Sequence, residues 1–150
     1  MIKKNIRRYS REKNNFFSFL WYTENEVNKM DCIFCKIVKG EIPSYTVYED
    51  DIVKAFLDAS PDANGHTLIV PKKHYKDLFD IDNDTLIHIM DVARKLDKTL
   101  REKLNTDGLT LVQNNGLYQE VKHFHLHLKP QYKGNPTKLK PEDVYKKITN

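Results

Sequence analysis

His123-Phe124-His125-Leu126-His127-Leu128 decides how the rest of the 150-residue chain is read. Unbroken alternation of imidazole and apolar side chains is the period-2 signature of a strand, whose successive side chains point to opposite faces. The stretch predicts a strand over 123–128 in which Phe124, Leu126 and Leu128 enter a core. His123, His125 and His127 then share the other face at intervals of about 6.6 Å. One histidine on such a strand reads as structural; three in a row point to chemistry. Imidazole can serve as nucleophile, as general acid or base, or as metal ligand. An uncharged histidine attacks phosphorus well near neutral pH, while flanking imidazoles can hold phosphate oxygens and protonate a leaving group. A catalytic zinc bound by His-x-His and a distant histidine is the competing use.

Outward from this strand, Gly108 to Gln113 (GLTLVQ) alternates as another, and Asp84 to Leu104 has the strongest helical period in the chain. Its apolar positions are Leu86, Ile89, Met90, Ala93, Leu96, Leu100 and Leu104, with Asp82 and Asp84 early and Lys98, Arg101 and Lys103 late. That polarity complements the helix dipole. His88, inside the helix near apolar neighbours, reads as structural. His66 to Val70 is a strand stopped by Pro71 and preceded by the turn-rich loop 58–65. Tyr45 to Glu49 and Ile52 to Leu57 flank the acidic turn Glu49-Asp50-Asp51 as a hairpin. Ile33 to Val38 reads as a short helix ended by Gly40 and Pro43, and Pro141 opens a last short helix. Strands joined by short turns predict an α+β domain built on an antiparallel sheet, with helices on one side.

With 39% apolar residues the chain can bury a core without disulfide staples. No apolar run approaches the roughly 18 residues of a membrane span. The longest, Phe16 to Tyr22, is interrupted by Ser18 and lacks the small-x-small cleavage pattern of a secretion leader. The net charge of +4 lies wholly in residues 1–30, which hold seven basic and three acidic residues, so the body is neutral. That argues against a nucleic-acid footprint. Within the body, residues 129–147 carry six lysines against Glu142 and Asp143, leaving residues 31–128 at −4. Coherent patterning begins at Asp31, so residues 1–29 read as a weakly ordered extension and Met30 as a candidate true start, with the domain over 30–150. Intact mass of protein made from its native gene tests that start. The two cysteines, Cys32 and Cys35, stand in a C-x-x-C spacing that raises metal or redox use and is no secreted framework.

The histidine strand after Gln119-Glu120-Val121 resembles the active-site strand of the histidine-triad (HIT) family of nucleotide hydrolases and transferases. Further segments resemble family blocks in the same order: Asp31-Cys32-Ile33-Phe34-Cys35 with Gly40-Glu41-Ile42-Pro43, Ala55-Phe56-Leu57-Asp58, Gly65-His66-Thr67-Leu68-Ile69-Val70-Pro71-Lys72-Lys73-His74, and Asn114-Asn115-Gly116. The resemblance covers about 31–134. It implies a HIT-like fold with a five-stranded antiparallel sheet, one long helix and one or two short ones. It also implies cleavage at the α-phosphorus of a nucleotide through a nucleotidyl-histidine intermediate. His125 is then the nucleophile, and His127 and His66 hold the phosphate and assist the leaving group. Asn114 and Gln119 bind phosphate oxygens, Asp58 binds the ribose, and Ile33, Phe34 and Phe56 form the base pocket. Cys32, Cys35, His74 and His123 hold a structural zinc. The implied enzyme is a cytoplasmic homodimer acting on purine nucleoside phosphoramidates. Dinucleoside polyphosphate hydrolysis and a non-catalytic nucleotide-binding regulatory module are the alternatives.

Two departures from the family pattern stand out. Leu128-Lys129-Pro130-Gln131 replaces two apolar residues and Pro-Arg, and Lys129 has the parity of the histidine face, where it could add a cation near the phosphate. The Gly116–Gln119 connection is about two residues shorter than the usual form, which bears on the leaving group.

Overall fold

The computed structural model describes residues 31–150, so the expected extension over 1–29 lies outside the described residues. The elements in chain order are α1 (Ile33–Val38), β1 (Thr46–Glu49), β2 (Val53–Leu57), β3 (Thr67–Pro71), α2 (Asn83–Leu104), β4 (Gly108–Val112), β5 (Leu126–Gln131) and α3 (Pro141–Thr149). The strands form one antiparallel sheet in the order β1-β2-β3-β5-β4. This is the expected α+β architecture. Among the described residues no helix is long and apolar enough to cross a membrane.

Strand alternation assigns the two faces of the sheet different tasks. Val53, Ala55, Ile69, Leu126 and Leu128 point to one face and pack with Ile89, Val92, Ala93 and Leu96 of α2. The opposite parity puts Phe56, Leu68 and Val70 on the other face, against Phe34, Cys35 and Ile37 of α1. α3 closes the end of the long helix, with Val144 and Ile148 beside Leu57 and Leu100. Helices therefore cover both faces, where one side was expected.

α2 begins where the Asp82 carboxylate accepts the Thr85 N–H at 2.8 Å and ends at Asn105, a left-handed cap with φ of 55°. The acidic hairpin turn is tied to it. Asp50 accepts the Ile52 and Val53 N–H groups, each at 2.8 Å, together with the Tyr48 hydroxyl at 2.8 Å. His88 of α2 completes the set, its Nε2 lying 2.7 Å from the same carboxylate. Partial burial pushes the Asp50 carboxyl up, but these hydrogen bonds outweigh it and hold the group far below the usual carboxylate range. His88 is thus the structural residue its helical position suggests.

The histidine segment departs from expectation. β5 begins at Leu126, three residues late, and runs on to Gln131. Ahead of it the backbone leaves the ladder: the Phe124 N–H donates to the Tyr75 carbonyl at 2.6 Å and the His123 N–H to the Val121 carbonyl at 2.8 Å. The apolar half of the pattern survives, with Phe124, Leu126 and Leu128 all buried. The row of three imidazoles on one strand face does not, because His123 and His125 lie outside the sheet.

β3 begins at Thr67, one residue later than expected, so His66 stands between the strand and Gly65, whose φ of +89° is open to glycine and strained for L side chains. A Cβ there would lie 2.6 Å from a Leu104 methyl and 3.0 Å from one of Leu100. Gly65→Ala is therefore expected to cost about 2–3 kcal/mol, combining backbone strain with overpacking. Urea unfolding measures this, and a midpoint equal to that of the parent would contradict it.

Candidate functional site

The three histidines of the deciding stretch divide between two sites about one side chain apart. His123 is fully buried and faces the cysteines. Its Nε2 lies 2.8 Å from the Pro71 carbonyl, which can only accept, so Nε2 carries the proton and Nδ1 presents its lone pair. That lone pair lies 3.4 Å from Cys32 Sγ and 3.5 Å from Cys35 Sγ, while His74 Nδ1 is 3.2 Å from Cys35 Sγ. All four donor atoms fall within 4.8 Å of one another. A tetrahedral ion with bonds of about 2.3 Å to sulfur and 2.0–2.1 Å to nitrogen needs sulfur–nitrogen edges of about 3.5 Å. The four residues fit such an ion, and the carbonyl behind His123 orients the ring as outer partners of metal ligands do.

His125 points the other way, into a cleft of about 920 Å³. Its Nδ1 lies 2.7 Å from the His123 carbonyl, so the proton sits on Nδ1 and the Nε2 lone pair is left for the cleft. Phe34 braces the ring edge-on, with centroids 5.0 Å apart. Desolvation lowers the His125 pKa, opposed by the His123 carbonyl. The result is an uncharged imidazole with a fixed lone pair, an arrangement able to attack an electrophile.

His127 on β5 and His66, the residue just before its partner strand β3, meet with His127 Nδ1 2.9 Å from His66 Nε2. The Asp62 N–H donates to His66 Nδ1 at 3.1 Å. An amide can only donate, so neutral His66 carries its proton on Nε2 and gives it to His127 Nδ1. The His127 proton is then on Nε2, the nitrogen not committed to His66. Desolvation, reinforced by the His125 and His66 rings, holds the His127 pKa down to about 4, with Asp58 opposing. Asp58 Oδ2 is 3.6 Å from His66 Nε2 and 4.0 Å from His127 Nδ1.

The remaining expectations divide. Ile33, Phe34 and Phe56 line one apolar end of the cleft, and Asp58 and Asn114 line its polar part. Gln119 is buried and donates from Nε2 to the Lys76 carbonyl at 2.6 Å, so its amide holds the short connection in place and does not line the cleft. Lys129 reaches the cleft with the parity of His127, but its Nζ is engaged by Asp62 at 2.5 Å. Sequence reading missed Asp62, Tyr118 and Glu120, which also line the cleft. Asp62 and Glu120 sit in irregular connections and Tyr118 ends a single 3-10 turn (Gly116–Tyr118), where no period marks a side chain's direction.

A HIT domain model matches residues 39–134. The chain belongs to the histidine-triad family. An uncharacterised HIT-like protein of Methanocaldococcus jannaschii is 47% identical over 115 residues, covering 75% of this chain and 88% of the relative. An adenosine 5′-monophosphoramidase of Saccharomyces cerevisiae is 45% identical over 102 residues, covering 67% of this chain and 62% of that enzyme. Among solved structures, a zinc-bound histidine-triad protein of Mycobacterium smegmatis matches with a TM-score of 0.74 at 33% identity, covering 80% of this chain and 91% of that one. A HIT-like protein of Bartonella henselae matches with a TM-score of 0.72 at 40% identity, over 79% and 94%. The fold described above is therefore the HIT fold, and one of the solved family members it resembles is zinc-bound.

The lowered His127 pKa makes stability pH-dependent. Between its ordinary value of 6.5 and about 4 the unfolded chain binds a proton that the folded one refuses. Stability from this source is therefore intact above pH 6.5 and falls as the pH drops towards 4. His127→Gln is expected to reduce the stability lost between pH 7 and pH 5 by about 1 kcal/mol, after discounting for solvent screening. Urea unfolding of both proteins at the two pH values measures the difference, and identical losses would contradict it.

Proposed function

We propose that this HIT protein is a hydrolase that cleaves purine nucleoside phosphoramidates at the α-phosphorus through a covalent bond to His125. The observation that carries the reading is the carbonyl-fixed His125 tautomer, which leaves an uncharged lone pair aimed into a cleft beside a second imidazole that presents an N–H. Ile33, Phe34 and Phe56 hold the base. Asp58 receives ribose hydroxyls, and Asn114 with the His66–His127 pair holds the phosphate. Gln119 has no direct role in binding.

In the first half-reaction the His125 Nε2 lone pair forms a bond to phosphorus while the bond to the leaving amine breaks. The amine departs with a proton supplied through the His127–His66 pair, which draws it from solvent once the anionic nucleotide offsets the desolvation that otherwise keeps the pair neutral. In the second half water adds to phosphorus, its proton returns to the pair, and the His125–phosphorus bond breaks. The sum is amidate plus water giving amine plus nucleoside monophosphate. Cleft charge favours this substrate over a dinucleoside polyphosphate, because Asp58, Asp62 and Glu120 face it against the single base Lys129. A substrate with several phosphate charges is repelled more than an amidate with one.

Zinc at Cys32, Cys35, His74 and His123 is the second part of the proposal, supported by the donor spacing and by the zinc-bound relative. Its chemistry there is structural, since four protein ligands leave no open position for a substrate. A reduced, cytoplasmic setting accords with thiols kept as ligands. A homodimer completes the reading, and the edge strand β4, which has one unpaired side among the described residues, offers it a ladder, with Leu111 exposed.

Brief incubation with adenosine 5′-phosphoramidate, quenched in alkali and followed by peptide mapping, is expected to give an adenylyl adduct on the peptide carrying His125. His125→Ala should lose at least about a thousandfold in kcat while still binding nucleotide. Binding without adduct or turnover in the parent would favour the regulatory alternative. Metal analysis of untagged protein is expected to find about one zinc per chain, and chelation should lower the thermal midpoint. Less than half an equivalent would remove the structural zinc.

A further inference from the structure

We infer that Lys129 is a positioning residue that acts through Asp62 to fix which nitrogen of His127 presents a proton to the cleft. The inference rests on the hydrolase reading above and concerns the departure of the leaving group. It differs from the simple expectation of a lysine placed to meet phosphate, because the Lys129 ammonium is committed to the Asp62 carboxylate at 2.5 Å.

The chain of contacts is short and directional. Lys129 stands on β5 two residues beyond His127 and pairs with Thr110 of β4, so its backbone is held by the sheet. The loop between β2 and β3 is anchored at both ends. The Asp58 N–H donates to the His66 carbonyl at 2.9 Å, and the Asn64 side chain donates to the Thr137 carbonyl and accepts from the Leu139 N–H, each at 2.9 Å. Between these anchors Asp62 is tied by its side chain to Lys129 and by its N–H to His66 Nδ1 at 3.1 Å. The second tie has a chemical effect that the first secures. With its Nδ1 occupied by a donor, neutral His66 carries a proton only on Nε2, which it gives to His127 Nδ1 at 2.9 Å. His127 is left with its N–H on Nε2 and does not present a lone pair there.

If the Lys129–Asp62 pair is broken, the middle of the loop loses its tether to the sheet. The Asp62 N–H no longer dictates the His66 tautomer. His66 can then protonate on Nδ1 and turn its Nε2 lone pair to His127, which moves the His127 proton to Nδ1 and removes the donor from the cleft. The net change is a redistribution of protons within two neutral imidazoles, with no proton gained or lost. Asp62 is substantially exposed, so the tether is a modest one and the expected effect is correspondingly modest.

The test uses the full chain in its zinc-supplemented form and adenosine 5′-phosphoramidates of two amines. An aliphatic amine needs a proton to leave, whereas p-nitroaniline departs with little need of one. Lys129→Met is expected to lower kcat for the aliphatic amidate about fivefold more than for the nitroanilide. Lys129→Arg should restore most of the loss, and Asp62→Asn should reproduce it without adding to it in the double variant. Equal losses for both amidates, or a rise in KM alone, would overturn the inference, the latter indicating direct contact with phosphate. Long-range proton–nitrogen spectra of the histidine rings test it independently of turnover. The parent should show His66 and His127 protonated on Nε2, and Lys129→Met should mix the tautomers of both. An unchanged pattern in Lys129→Met refutes the positioning role even in a protein that turns nothing over. Turnover failing while the tautomers shift would refute only the hydrolase reading.

Discussion

The 2.7 Å hydrogen bond from His125 to the His123 carbonyl is the joint on which the site turns. One residue, His123, serves both neighbours. Its ring is fixed between the Pro71 carbonyl and the two cysteines, and its own carbonyl sets the proton of His125. Anything that holds the buried cluster in place therefore also holds the lone pair in the cleft. A ring free to exchange tautomers would offer the lone pair only part of the time, and preorganisation removes that loss before the substrate arrives.

Desolvation gives this geometry its electrostatic character. His123, His125, His127 and His66 all titrate below the ordinary imidazole value, and burial is the first cause in each. Uncharged rings can be packed side by side, with centroids 4.9 Å apart for His125 and His127 and 5.2 Å for His66 and His127. A charged set at those separations would repel itself. The carboxylate of Asp58 is the counterweight, close enough to both facing nitrogens to favour one added proton when a ligand supplies negative charge.

The scaffold keeps this arrangement apart from the main core. α2 buries its apolar stripe on the sheet face opposite the cleft and is fastened to the β1–β2 hairpin by the Asp50–His88 contact. Phe34 belongs to both worlds: it packs with Phe56 in the second core and braces His125 at the cleft. The apolar end of the cleft is thus continuous with a core that the sheet already stabilises.

The sequence by itself determined the elements whose period is strict. The 22-residue α2 follows from its stripe and acidic N-cap, and Phe124, Leu126 and Leu128 could be assigned to the core because alternation and burial are one constraint. It also brought out Cys32, Cys35, His74 and His123 as a group through family resemblance, and the structure brings their donor atoms together. What alternation could not reveal is that His123 and His125 leave the ladder, because the hydrogen bond from Phe124 to Tyr75 is a non-local choice made by the folded backbone. The same limit hid the turn of Gln119 onto Lys76 and the capture of Lys129 by Asp62, both in or against irregular loops. Only the tertiary structure decided which nitrogen of each histidine holds its proton, since His123 answers to a carbonyl from β3 and His127 to the ring of His66, while the local carbonyl and amide that set His125 and His66 are aimed by the folded loops that carry them.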